Sequence, residues 1–383
     1  MKLSRRGFVR SSAGALGAAA ASGGVMAQAL TAQGCWRGYK DALVLDNLGG
    51  ILNPNLPYSK DVPSTLDPRA LRDAIGSGVT AINTTIGFVA CDEEPFEYSV
   101  RSVARSNRQI ESHSDQLLKV LSGEDILRAK REGKIGIIQG FQNAAMMGED
   151  ASRVTIFAEL GVRIIQLTYN GLNQLGAGSM VPDNGGLTAF GRDVVAELNA
   201  NKVVIDLSHS GERTCLDAIE ASHEPICITH TGCQALADLP RNKTDHELRM
   251  VAEKGGAVGI YFMPFLREDG MSMAADLIDH IEHAINVCGE DHVGIGTDGG
   301  LTAVDDIEAA RERTRKSIER RRALGISAKG EIPGVVAFLP DLSGPTQFQR
   351  LADKLQARGH SSTRIEKILG LNFFNYYRRI WKG

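Results

Sequence analysis

Eight short stretches rich in Val and Ile, separated by longer stretches of helical period, set the tightest limit on what this chain can fold into. They are residues 42–46, 79–84, 134–139, 162–168, 202–207, 225–229, 257–262 and 292–297. Each is nearly continuous in apolar character, the pattern of parallel strands covered on both faces. Helical stretches lie between them at 67–77, 99–131, 150–160, 189–200, 211–222, 245–254 and 274–288. Thr188 precedes one of these, and Thr244-Asp245 with Glu247 close behind opens another, which is helix-capping chemistry. Eight strand–helix units predict an α/β fold, a (β/α)8 barrel of TIM type. No Gly-x-Gly-x-x-Gly follows the first strand, so the main sign of a dinucleotide fold is missing. The polar stretch 99–131 reads as one long helix standing partly outside the barrel. After the eighth strand, residues 305–322 interleave Arg311, Arg313, Arg315, Lys316, Arg320, Arg321 and Arg322 with Glu308, Glu312 and Glu319. That segment reads as a solvated helix with spaced opposite charges. Residues 351–358 and 362–369 read as closing helices.

The N-terminus carries a different signal. Ser4-Arg5-Arg6-Gly7-Phe8-Val9-Arg10 is close to the twin-arginine export pattern Ser-Arg-Arg-x-Phe-Leu-Lys. A weakly apolar Ala/Gly run follows, then Ala27-Gln28-Ala29, the small-x-small pattern that a signal peptidase cuts after. The run is shorter than the ~20 apolar residues that span a bilayer, and its glycines undermine the other reading, a basic surface helix. The expected organisation is therefore a twin-arginine leader at 1–29 and one barrel domain at 30–383, placed in the periplasm. Loss of the leader removes four basic side chains and no acid, taking the formal charge from −3 to −7. A mildly acidic domain has no electrostatic reason to hold nucleic acid or anionic lipid, and no later stretch is apolar enough to span a membrane. The six cysteines, Cys35, Cys91, Cys215, Cys227, Cys233 and Cys288, form no Cys-x-x-Cys pair. They read best as small apolar side chains.

In such a barrel the active site is built at the C-terminal ends of the strands. Those positions hold Leu48 and Gly50, Asn83, Gln142, Tyr169, His209, His230, Phe262 and Asp298. Imidazole and carboxylate are common ligands of zinc and similar ions. One histidine after a strand is more often a hydrogen-bonded structural residue; three such groups at equivalent positions are harder to dismiss. The other seven histidines, His280 among them, fall on helices or polar edges and read as surface residues.

Several ordered motifs make a further point. Leu167-Thr168-Tyr169-Asn170, Gly186-Leu187-Thr188-Ala189-Phe190-Gly191, Ile205-Asp206-Leu207-Ser208-His209, Ile228-Thr229-His230-Thr231, Arg241-Asn242-Lys243-Thr244-Asp245, Val293-Gly294-Ile295-Gly296-Thr297-Asp298 and Ile368-Leu369-Gly370-Leu371-Asn372-Phe373 stand in this order. Together they resemble the renal (membrane) dipeptidase family. The resemblance runs from about Asp41 to the C-terminus. It implies a barrel enzyme with two bridged zinc ions that hydrolyses dipeptides. On that basis His209 and His230 would hold one metal. Asp298 would serve the other and take the proton from the attacking water. Arg241 would grip the substrate carboxylate, and Tyr169 would contact the substrate.

The chain departs from the family pattern at decisive places. The Asp-x-His-x-Asp of the family is Asp46-Asn47-Leu48-Gly49-Gly50, its bridging Glu is Gln142, and its Leu-Thr-His-Asn histidine is Tyr169. Neither Leu48 nor Gly50 can ligate a metal, and a neutral Gln142 lacks the charge that offsets repulsion between two dications. The expectation is a dipeptidase-like metallohydrolase with a reduced zinc site, one ion or none, in which His209, His230 and Asp298 are the ligands. Catalytic roles fall to Asp298 and Tyr169, and substrate binding to Arg241 and Tyr169. Two alternatives stay open: a repurposed isomerase or tautomerase acting on an exported metabolite, and an inactive peptide-binding homologue. The partners expected are a dipeptide or other small molecule, with a homodimer left open, and neither nucleic acid nor a membrane span in the mature chain. Cys227 is not expected to ligate, because it lies three residues before His230 on a strand and faces the other side.

Overall fold

The computed structural model describes residues 35–57, 65–183 and 185–381; the leader expected at 1–29 lies outside them. In chain order the elements are β1 (Leu45–Gly50), α1 (Pro68–Gly76), β2 (Ala81–Thr85), α2 (Pro95–Ser112), β3 (Leu117–Lys119), α3 (Gly123–Glu132) and β4 (Ile135–Phe141). There follow α4 (Arg153–Glu159), β5 (Val162–Gln166), α5 (Ala189–Ala200), β6 (Val204–Asp206), α6 (Glu212–Ala221) and β7 (Cys227–Thr231). The chain continues through α7 (Asp245–Glu253), β8 (Ala257–Ile260), α8 (Ala274–Cys288), β9 (Val293–Ile295) and β10 (Gly299–Gly300). It ends with α9 (Ile307–Ala323), α10 (Gln347–Ala357), α11 (Ser362–Glu366) and α12 (Asn372–Ile380).

Strands pair in parallel in the order β10-β1-β2-β4-β5-β6-β7-β8-β9, with β3 attached to the side of β4. β9 passes through Gly296-Thr297-Asp298 into β10, and β10 pairs with β1, Gly49 opposite Gly299. The sheet thereby returns to its first strand. Side chains reinforce the seam: Asn47 Nδ2 donates to Ile295 O at 2.7 Å, and Thr297 N and Oγ1 both donate to the Asp46 carboxylate at 2.7 Å. Asp46 is thus part of the wall, and burial lifts its pKa to about 7.

The strands are buried on both faces, β4 along its whole length, which is why they read as continuous apolar runs. Ile82, Ile137, Ile165, Ile228 and Ile295 pack toward the surrounding helices in one core. Leu45, Ile138, Ile164, Val204 and Cys227 belong to a second core with Phe373, Tyr376 and Tyr377 of α12. Tyr377 Oη donates to Asn47 Oδ1 at 2.9 Å and Tyr376 Oη to Pro225 O at 3.0 Å. The C-terminal helix therefore plugs this second core, each large side chain contributing roughly 1.5–3 kcal/mol of burial. Cys227 lies here, away from the site.

Two expectations are corrected. Residues 99–131 are not one helix but α2, the strand β3 and α3. Ser122 and Asp125 form a capping box that starts α3 afresh, and Leu117 and Leu118 are buried beside β4. β1 begins three residues later than the apolar run suggested, and a register shift between Asp46 and Gly49 carries pairing through Gly50. Leu48 and Gly50 are therefore strand residues at the barrel rim.

Candidate active site

The structure brings the expected site residues to one rim, though not as a complete ligand set. His209 follows β6, His230 lies in β7, Tyr169 follows β5, Gln142 follows β4, and Asp298 sits between β9 and β10. A pocket of about 700 Å³ is lined by Gln142, Tyr169, His209, Arg241, Phe262 and Asp298 among others. A neighbouring cavity of about 650 Å³ shares Gln142 and Asp298 and reaches Leu48 and Gly50. Asn83 turns instead into the wall, its Nδ2 donating to Asn47 O at 2.7 Å.

His209 and His230 approach Nε2 to Nε2 at 3.0 Å. Their tautomers follow from their outer partners. Asn170 Nδ2 donates to Ile326 O, which turns its Oδ1 toward His209 Nδ1 at 2.7 Å. His209 therefore carries its proton on Nδ1. Thr229 Oγ1 donates its own proton to Asp206 Oδ2 at 2.5 Å, so toward His230 Nδ1, at 2.9 Å, it can only accept. His230 is also the Nδ1–H tautomer, and two Nε2 lone pairs face each other. Burial, with the charge of Arg241 second, holds both imidazoles well below their ordinary pKa, so both are neutral. Asp206 anchors this arrangement, because its carboxylate also accepts from Ser208 N, Ser208 Oγ and Thr229 N. Burial lifts its pKa against the pull of those bonds.

Asp298 adopts a positive φ of 54°, a conformation that non-glycine residues seldom take, while its N–H donates to Leu48 O at 2.7 Å. The kink at this residue separates β9 from β10 and turns its side chain to the pocket. Burial raises the carboxyl to about 6 although Arg241 and Arg321 pull it down. Arg241 is 2% exposed, and its Nη1 donates to Ser208 O at 2.6 Å. Its loop is held by the neighbouring motif residues. Asn242 Nδ2 donates to Ala237 O and Phe265 O, Lys243 pairs with Glu247 at 3.0 Å, and Thr244 caps α7. Tyr169 stacks on His209 with ring centroids 4.1 Å apart, and Arg321 Nη1 donates to its hydroxyl at 3.0 Å.

That last contact corrects the reading of the charged segment as a solvated helix. One stripe of α9, with Arg313 and Arg321 on it, walls the pocket. The signal was present as Ala310, Arg313, Thr314, Ser317, Ile318 and Arg321, spaced 3-1-3-1-3 as on one helix face. His280 is likewise no surface residue: it is buried, its Nδ1 accepting from Cys233 N and its Nε2 facing Leu266 O.

Among the described residues no group of three or more His, Cys, Asp or Glu is disposed to hold a metal ion. Asp298 shares the pocket with His209, but the trio His209, His230 and Asp298 is not assembled as a ligand set. A two-ion centre does not fit, since Leu48 and Gly50 offer no donor and Gln142 no charge. The imidazole pair does fit a single cation. Both lone pairs converge, and both far nitrogens are held by hydrogen bonds as metal-binding imidazoles require; Gln142 Nε2 and Arg241 Nη2, each 3.5 Å from an imidazole Nε2, are donors and add no ligand.

These groups gather at the C-terminal rim of a parallel β/α barrel, the face on which such barrels build their active sites. This chain belongs to the membrane dipeptidase family, peptidase family M19, whose profile matches residues 45–320. A protein of Klebsiella pneumoniae encoded 5′ of pqqA is 30% identical over 72% of this chain and 93% of its own length. Dipeptidase tcpJ of Claviceps purpurea is 27% identical over 71% of this chain and 57% of its own length. An amidohydrolase from Pseudomonas aeruginosa, 32% identical, has a similar structure with TM-score 0.74 over 90% of this chain and 98% of that one. A Rhodobacter sphaeroides metallopeptidase liganded with a phosphinate mimic of L-Ala-D-Ala shares the fold at TM-score 0.70 and 21% identity, over 89% of this chain and 99% of that one.

Proposed function

We propose that the chain is an exported dipeptidase-like hydrolase that cleaves a small peptide or related amide with one zinc ion held by His209 and His230. The observation that carries the reading is the pair of neutral imidazoles with Nδ1 protons engaged and Nε2 lone pairs converging at 3.0 Å. A divalent ion there would supply Lewis acidity toward the substrate carbonyl. Asp298, ionised above about pH 6, accepts a proton from the attacking water and returns it to the leaving amine. The Arg241 fork receives the substrate carboxylate, and Tyr169, braced by Arg321, covers the outer face of His209. The peptide mimic bound by the Rhodobacter relative supports a substrate of this class. The twin-arginine pattern at Ser4–Arg10 supports a periplasmic location, with residues 1–29 removed.

The test is elemental analysis of the mature protein beside a dipeptide hydrolysis assay. One zinc per chain is expected, lost in His209→Ala and His230→Ala. A stable preparation free of metal that still hydrolyses dipeptides overturns the reading. A second reading, acid–base catalysis of an isomerisation by Asp298 and Tyr169, is favoured by the lost donors at Leu48 and Gly50. It predicts turnover that survives chelation.

A further inference from the structure

The arginines of α9 are not equivalent. Arg311 donates to Gly334 O, Arg315 is paired with Glu312 and Glu319, and Arg321 is tied to Glu331 and Tyr169. Arg313 Nη2 is buried and has no hydrogen-bond partner among the described residues, yet Arg313 lines the pocket. A guanidinium N–H taken out of water and left unpaired is unfavourable, and such a group is satisfied when an anion arrives.

Its position says what kind of anion. Arg313 and Arg321 lie eight residues apart on one helix, about 12 Å along its axis. Arg321 stands at the chemical end of the pocket, against Tyr169 and so against His209. Arg313 stands at the far end of the same wall, with the apolar Ile318 between them. Arg241 already serves the carboxylate nearest the chemistry, so Arg313 is left to serve another. We propose that Arg313 is a specificity-determining residue that reads a second negatively charged group on the substrate, remote from the bond that is cleaved. The preferred substrate then carries an acidic side chain or a distal carboxylate in addition to its α-carboxylate. The inference rests on reading the pocket as a peptide site, and it narrows that reading to acidic peptides.

The experiment uses the mature protein and compares L-alanyl-L-glutamate with L-alanyl-L-glutamine by calorimetry, with pimelate against hexanoate by thermal shift as peptide-free probes. Wild type should bind the glutamate peptide roughly tenfold tighter than the glutamine peptide, the effect of one charge-assisted contact. Arg313→Gln should erase that ratio while leaving glutamine-peptide affinity and melting temperature unchanged. In turnover the change should fall on KM, with kcat held. Equal binding of the two peptides by wild type, or a ratio that persists in Arg313→Gln, overturns the assignment. If neither peptide binds but pimelate alone stabilises, and only with Arg313 present, the peptide reading falls and the anion site stands. If the peptides bind but no probe separates wild type from Arg313→Gln, the assignment falls and the peptide reading stands; if no probe binds at all, both fall.

Discussion

Replacing Asp206 by Asn should weaken cation binding without unfolding the protein. Asp206 is fully buried, and its Oδ1 takes Ser208 N, Ser208 Oγ and Thr229 N while its Oδ2 takes only the Thr229 hydroxyl. An Asn keeps the three bonds at Oδ1 and presents an NH2 where Oδ2 was. That amide donates to Thr229 Oγ1, which then turns its own proton to His230 Nδ1. His230 moves its proton to Nε2, where it caps the lone pair that faces His209 at 3.0 Å. Binding a cation then requires the imidazole to return to its former tautomer against one buried hydrogen bond, about 1–3 kcal/mol. That corresponds to roughly 10–100-fold in affinity, the usual range for groups that orient metal-binding imidazoles. Stability should change by only about 1 kcal/mol, because weaker neutral hydrogen bonds are offset by no longer burying a charge whose pKa burial has raised. Zinc affinity is read by competition with a chelating dye, stability by melting in chelator, and the tautomer by imidazole 15N shifts. Wild-type zinc affinity with His230 still protonated at Nδ1 would refute this account of the site.

Three shorter predictions follow from the same geometry. Because the Asp298 carboxyl is lifted to about 6, kcat/KM should climb between pH 5 and 7 with an inflection near 6, and Asp298→Asn should lose that limb; an inflection retained in the variant assigns it elsewhere. Asp46, lifted from 3.8 to about 7, favours folding in its protonated form, so its contribution is complete below about pH 4 and declines as pH rises through 7. Asp46→Asn should therefore gain on wild type over that window, by at most about 4 kcal/mol, and melting curves with a pH-independent gap would contradict it. A Cβ at Gly178 would stand 1.9 Å from Tyr169 O, so Gly178→Ala should cost about 1–3 kcal/mol and displace Tyr169 from His209. An unshifted melting temperature tells against that packing.

Much of the barrel was readable because its strands are covered on both faces. Burial leaves runs that are nearly continuous in apolar character, and all eight expected runs overlap a barrel strand. The failures have specific causes. The polar stretch at 99–131 hid a strand because β3 is three residues long and pairs on one side only. The signal for α12 was present in the sequence, since its buried Phe373, Phe374, Tyr376, Tyr377 and Ile380 fall at helical spacing. The charged segment misled for a different reason. Its ion pairs are those of an exposed helix, and only a few residues per turn reveal the face turned to the pocket.

The site divides along the same line. His209, His230 and Asp298 were identifiable in the linear order, because each follows or ends a strand and so must reach the C-terminal rim of a parallel barrel; Arg241, ten residues beyond β7, was marked only by the resemblance of its motif. That Leu48 and Gly50 carry no side-chain donor atom and Gln142 no charge was equally plain, since these are properties of the residue alone. What the linear order could not contain was which nitrogen of each imidazole keeps its proton. That depends on Asn170, Thr229 and Asp206 meeting the rings across separate strands, and on which partner has a proton to give. Nor could it contain the role of α9, where like arginines differ only in what the folded chain places opposite them. Residue type decides what chemistry is available at a position; proximity and desolvation, which arise only when the sheet closes, decide which of those groups are left free to act.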